Sequence, residues 1–204
     1  SWAVEAALSC DVFDLVVVST DDEEIAEVAL ECGAQVPFLR PIELADDFVA
    51  TVPVVKHAIE ELDNIGVAAA NICCLYATAP FVQSADIKLG LSKLLDQNCD
   101  YVFTVTTFAS PIQRALRQSK DGYLEMLSPE RYECRSQDLP ETWHDAGQFY
   151  WGHRNSWLRD LPIFSAACMP LVVPRHRVQD IDTLEDWHRA EWLFKMMLED
   201  LEVQ

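Results

Sequence analysis

The chain has 204 residues, half of them hydrophobic and 24% charged, with a formal net charge of −19, which is enough material for one sizeable domain with a single core. The acidic balance argues against a nucleic-acid surface, where a basic stripe is expected, yet leaves room for a small anionic ligand in a locally positive pocket. No apolar run approaches a membrane span and no signal-peptide pattern is present.

Asp14–Thr20 reads as a short buried strand, β-branched and apolar with a polar exit. Thr20 and Glu23 have the spacing of a capping box, and Ile25, Val28, Ala29 and Cys32 then fall on one helical face that Gly33 ends. A loop from Pro37 to Asp47 precedes a helix over 52–62. Ile72–Tyr76 is a second buried strand. Ser84 is expected to cap a helix reaching about Gln97, striped by Ile87, Leu91 and Leu94 or Leu95. Tyr101–Thr106 is a third strand, Asp121-Gly122 a turn into a short strand, and 149–151 and 170–173 are further strand candidates. Trp187, Ala190, Phe194 and Met197 mark the inward face of a last helix.

This alternation predicts one α/β domain over 1–204, with a three-layer, doubly wound, mostly parallel sheet. Ligands bind beyond the carboxyl ends of strands in such sheets, which directs attention to Ser19–Asp22, Thr78 and Thr104–Ser110. The seven cysteines are odd in number and lack CxxC spacing. They read as free thiols in a reducing, cytoplasmic setting, and the histidines show no paired spacing for zinc.

Asp180 and Asp182 lie two apart just before the last helix. Extended backbone would aim both at one side, where Mg²⁺ is the usual partner for paired carboxylates and substrate phosphates. The competing reading is a helix cap by Asp182 or Thr183, with Asp186 closing the box.

Several runs, read together, resemble a known family: 18–26 (VSTDDEEIA), 37–46 (PFLRPIELAD), 76–80 (YATAP), 108–113 (FASPIQ), 135–140 (RSQDLP), 144–152 (HDAGQFYWG) and 179–183 (QDIDT). They are similar to the cytidylyltransferases that activate nonulosonic acids, the CMP-sialic acid synthetase group, and most to its pseudaminic acid branch. The resemblance implies a nucleotide-diphospho-sugar transferase-like fold with a small dimerisation arm at about 120–165, hence a homodimer. It implies that CTP and a nonulosonic acid, pseudaminic acid first, give a CMP-sugar and pyrophosphate. N-acetylneuraminic, legionaminic and 3-deoxy-manno-octulosonic acids are the alternative sugars.

By the same resemblance Asp180 and Asp182 hold Mg²⁺ and carry catalysis. Arg40 and Thr51 match nucleotide positions; the alternative for Arg40 is an ion pair with Glu43 or Asp46. Asp21 would orient nucleotide or loop, or serve only as a helix N-terminal charge. Tyr76 and Thr78 match positions facing the sugar. Tyr76 stands where sialic acid synthetases resemble a glutamine, which speaks against N-acetylneuraminate. Gln113 and Arg114 follow a strand and are weaker candidates. Arg135 and Gln137 belong to the arm, where Arg135 would pair a sugar carboxylate or an interface acid. His144, Asp145 and Gln148 would contact substrate, with no general-base role for His144. The aromatic run from Trp143 to Trp151 suits an interface or a sugar pocket.

Family members open with a strand and a Gly/Arg/Lys-rich phosphate loop ahead of the helix that here reads Ser1–Leu8. The sequence starts inside that helix, so weak turnover, or a fragment that only binds nucleotide, is the expectation for this chain alone. A glycosyltransferase with an Asp-x-Asp motif is disfavoured, because there the motif ends a mid-chain strand.

Overall fold

A computed structural model describes the backbone of residues 2–202 and the side chains of residues 2–197. The elements run α1 (Trp2–Ser9), α2 (Glu23–Glu31), α3 (Thr51–Asn64), β1 (Asn71–Leu75), α4 (Ser84–Asp96), β2 (Tyr101–Thr107), β3 (Leu116–Gln118), β4 (Leu124–Met126), β5 (Trp143–His153), α5 (Arg154–Leu158), β6 (Cys168–Val172) and α6 (Leu184–Glu202). The central sheet has the order β1-β5-β2-β6. β1, β2 and β6 run the same way, as a mostly parallel fold requires. β5 is inserted against them, so the β1–β5 and β5–β2 ladders are antiparallel and β2–β6 is parallel.

Alternation along β2 and β5 divides the core into two layers. Val102, Phe149 and Trp151 face α4 with Ile87 and Leu94. Tyr101, Phe103, Val105 and Tyr150 face Val55 and Ile59 of α3 and Trp157 of α5. The α4 stripe uses Leu94, which is fully buried, while Leu95 is exposed. Gly90 completes it: a Cβ there would lie 2.7 Å from Trp151 and 2.8 Å from Phe149. The Trp151 indole N–H donates to the Ile87 carbonyl (3.0 Å), fixing strand to helix.

Several local expectations are corrected. Asp14–Thr20 is no strand but an extended segment with one parallel bridge, Val17 to Gln35. Its β-branched residues have no second neighbour among the described residues with which to build a ladder. Asp22, not Thr20, caps α2, accepting from the Ile25 amide (3.0 Å). α2 turns Ala26 and Ala29 inward and leaves Ile25 and Val28 more than half exposed. Ser84 does not cap α4; it donates to the Ala6 carbonyl (3.0 Å) and tethers α4 to α1. In α6, Ala190 is buried and Phe194 stacks on Trp2 at 4.8 Å, but Trp187 is half exposed.

β3 and β4 form a separate exposed hairpin, followed by short 3₁₀ turns up to Asp138. The region expected as an arm, 120–165, overlaps β5 and α5, which belong to the main layers; the exposed excursion is 116–142. Phe149, Tyr150 and Trp151 are core residues, so neither the interface nor the sugar-pocket reading of that aromatic run applies to them. No described helix is long and apolar enough to cross a membrane.

Candidate active site

The carboxyl ends of β1, β2 and β6 meet the entry of β5 at one end of the sheet. There the β2–β5 ladder slips: Phe103 faces Tyr150, but two residues later Val105 faces Asp145, five positions back. The surplus length on β5 forms a bulge against β2 around Gly147, which takes φ +60°, while Gln148 and Phe149 keep their rungs to β1. Bulges commonly re-aim side chains beside active sites. This one presents Asp145, Gly147 and Gln148 at the strand ends.

The segment after β6 lies across the bulge. The Asp180 carboxylate stands 3.9 Å from where a Gly147 Cβ would be. Thr183 caps α6: Asp186 accepts from the Thr183 amide (3.0 Å) and hydroxyl (2.7 Å), and the Asp186 amide donates back to Thr183 Oγ1 (3.2 Å). That reciprocal box assigns capping to Thr183 and Asp186, so neither Asp180 nor Asp182 is used for it. Partial burial, then the neighbouring charge of Asp182, and further those of Asp145 and Asp186, push the Asp180 carboxyl above its usual range. Clustered carboxylates of this kind suit a hard divalent cation. Among the described residues no group of three or more His, Cys, Asp or Glu surrounds a common metal position. A bound ion would therefore rest on the aspartate pair and complete its shell from substrate oxygens and water.

Behind the bulge runs a partly buried polar relay. Thr51 Oγ1 and the Tyr76 hydroxyl are 2.6 Å apart, and the Tyr76 ring packs on Tyr150 at 5.2 Å. The Tyr150 hydroxyl donates to Asp145 Oδ2, and Asp145 Oδ1 accepts from the Gly147 amide (3.1 Å). Burial and the Asp145 hydrogen bond push the Tyr150 hydroxyl far above its ordinary range, so it stays a proton donor to that carboxylate. Tyr76 is thus both strand-end aromatic and polar partner of Thr51. The sequence reading missed Tyr150, because a Phe-Tyr-Trp run shows no polar role on its face.

Gln148 is buried; its Nε2 donates to the Arg177 carbonyl (2.6 Å), while its Oε1 has no partner. His144 is exposed, with Nδ1 2.7 Å from the Asp145 carbonyl and its ring edge-on to Phe108. The Asp145 carboxylate points elsewhere, so the two form no His–carboxylate dyad.

Other expected residues lie apart. Arg40 pairs with Asp21 (3.4 Å), not with Glu43 or Asp46, and its backbone N–H binds the Thr20 carbonyl (2.8 Å). Its Nε is buried without a partner, as is Ser19 Oγ. Asp21 therefore orients Arg40. Thr78 is exposed. Arg135 is spent on Asp138 (2.8 Å) at the surface, next to exposed Gln137. Gln113 donates to the Pro140 carbonyl (3.2 Å) and Arg114 to that of Cys134, so both pin the 116–142 excursion to the domain. A cavity of about 270 Å³ separates that excursion from the end of β2, lined in part by Thr107, Phe108, Ser136, Thr142 and Arg175. All seven cysteines are free, and burial pushes the Cys74 thiol up to about 12, which makes it a poor nucleophile.

A family model described as cytidylyltransferase matches residues 1–121. The chain is 41% identical to a pseudaminic acid cytidylyltransferase of Campylobacter jejuni, covering 96% of this chain and 84% of that protein. It is 30% identical to N-acylneuraminate cytidylyltransferase B of Danio rerio, over 93% of this chain and 44% of the relative. Among solved structures, a CMP:2-keto-3-deoxy-manno-octonic acid synthetase complexed with CTP superposes with a TM-score of 0.66 at 15% identity, over 95% of this chain and 86% of the other. At that identity the match speaks for the fold alone.

Proposed function

The chain belongs to the cytidylyltransferase family, and from that membership we propose that it couples CTP to a nonulosonic acid, with pseudaminic acid as the substrate. As a family member it is a nucleotidyltransferase enzyme. The observation that carries the choice of sugar is the 41% identity to the Campylobacter enzyme across nearly the whole chain. In this reaction the anomeric hydroxyl attacks the α-phosphorus of CTP. The new sugar-oxygen–phosphorus bond replaces the α–β anhydride bond, pyrophosphate leaves, and the hydroxyl proton passes to solvent.

Asp180 and Asp182 are the residues that would hold Mg²⁺, and their freedom from helix capping supports this. The ion would supply charge stabilisation and lower the pKa of the attacking hydroxyl. The residues of the chain do the rest. Asp145, fixed by Tyr150 and the Gly147 amide, faces the same strand ends. Arg40, set by Asp21, and Thr51 serve the nucleotide, and the Arg40 Nε left without a partner supports a ligand nearby. Tyr76, Thr78, His144 and Gln148 serve the sugar, and the unpaired Gln148 Oε1 supports a ligand there. Arg135 and Gln137 are exposed on the 116–142 excursion, and a homodimer in which that excursion packs against a second copy would bring them to a shared site. A cytoplasmic location agrees with the free thiols.

A second reading exchanges the sugar for an N-acylneuraminate, favoured by the Danio relative. The test is pyrophosphate release from CTP and Mg²⁺ by the full-length protein, with pseudaminic acid and N-acetylneuraminic acid side by side. Turnover with pseudaminic acid alone is the expected outcome. Turnover with only the other sugar, or with neither, would overturn the substrate assignment. Asp180→Asn and Asp182→Asn should each lower kcat by about 10²–10³, the scale for losing a transition-state charge contact.

A further inference from the structure

Between the end of β6 and the Thr183 cap, residues 174–182 carry the aspartate pair across the bulge. Both ends are tied: the Val173 amide donates to the Val105 carbonyl (2.8 Å) and its carbonyl accepts from Thr106 Oγ1 (2.8 Å), while the Thr183–Asp186 box holds the far side. Between these anchors, among the described residues, the hydrogen bonds from this strap to the body of the domain all run through Arg177. Its Nη1 pairs with Asp86 of α4 at 2.7 Å, with the two side chains only 12% and 15% exposed. Its carbonyl takes the Gln148 bond already described. Gln179, by contrast, reaches only Asp180 and Asp186, within the strap and its cap.

The geometry points to Asp86 and Arg177 as positioning residues that clamp the strap and so set where the Asp180 and Asp182 carboxylates stand. The inference rests on the metal role given to that pair. Arg177 is gripped on both sides, by a carboxylate from the helix layer and by an amide from the bulge. Three residues on, Asp180 passes directly over Gly147, the neighbour of the gripping Gln148. A shift of Arg177 therefore carries straight into the spacing between Asp180 and the strand ends. Residues that orient metal ligands from outside the ligand set typically change metal affinity by about 10–100-fold.

Losing one partner of a buried pair also destabilises a fold, so Asp86→Asn alone does not discriminate. The double variant D86N/R177Q removes both charges together, and R177K restores a cation. Mn²⁺ binding, followed by the loss of the free-ion electron paramagnetic resonance signal, needs no turnover, and thermal melting reports the fold. The expected result is an Mn²⁺ Kd weakened about tenfold or more in D86N/R177Q at near wild-type Tm, with partial recovery in R177K. Wild-type Mn²⁺ affinity in a folded double variant would overturn the clamp while leaving the metal site intact. A double variant that fails to fold shifts the decision to D86L/R177M, which replaces the pair by apolar side chains: an unchanged Kd there together with unchanged Tm overturns the clamp. Absence of Mn²⁺ binding by the wild type, equal to D180N/D182N, would overturn the metal reading and the clamp with it.

Discussion

Asp180 and Asp186 titrate in opposite senses although six residues separate them. Asp180 has its folded pKa raised, by partial burial and by Asp182 and Asp145. Its contribution to stability is present below the unfolded pKa of roughly 3.9 and is lost as pH rises through the folded value. Asp180→Asn should therefore raise Tm at pH 7, with the gain shrinking as pH approaches about 4. Asp186 has its pKa lowered, chiefly by the Thr183 hydroxyl, so its contribution is present above the unfolded pKa and lost as pH falls through the folded one. Asp186→Asn should lower Tm at pH 7, with the loss fading on acidification; paired melts across pH 3.5–8 test both, an assay window of roughly the carboxylate range. The aspartate pair was legible in the sequence because its spacing is a local signal. Asp86 and Arg177 were not, since their meeting across 91 positions depends on how α4 packs.

At the scale of elements, α4 packs closely on β5. Gly90 sits where Trp151 and Phe149 leave no space for a methyl group. Gly90→Ala should destabilise by about 1–3 kcal/mol, the usual range for overpacking, despite the better helix propensity of alanine. Urea unfolding with an unchanged m-value would check it; a stabilised variant would show that the seam yields. This element also shows what periodicity can deliver. Ile87 and Leu94 were legible because they are large, apolar and correctly spaced. The part played by Gly90 was invisible, because a glycine advertises nothing about the aromatic ring that fills its place. In α2 the large residues misled: Ile25 and Val28 drew the face outward, whereas the small Ala26 and Ala29 allow the close approach.

For the molecule as a whole, alternation of strands and helices was sufficient to read three layers, because burial on both faces dictates composition. The reversed direction of β5 was not legible. Direction is set by the long return through 108–142, not by any residue within the strand. That return exposes Leu116, Tyr123, Leu124, Leu127 and Tyr132, an apolar concentration unusual on a lone surface. Analytical ultracentrifugation should find a dimer that Leu124→Asp and Tyr132→Asp together convert to monomer. A wild-type monomer would remove the dimer proposal and with it any role for Arg135 in a shared site.

The slip between β2 and β5 also bears on how such a site can change over generations. Losing one residue from a regular strand turns every later side chain to the opposite face, which a two-sided core does not survive. Here the two stretches of ladder are separated by slack, with Tyr150 facing Phe103 on one side and Asp145 facing Val105 on the other. A residue gained or lost beside Gly147, ahead of the β1 rungs at Gln148 and Phe149, alters the bulge while the flanking registers keep their facing. The stretch nearest the chemistry is thus the one whose length is freest to drift, so altered substrate preference and an undisturbed core are compatible in a single mutational step.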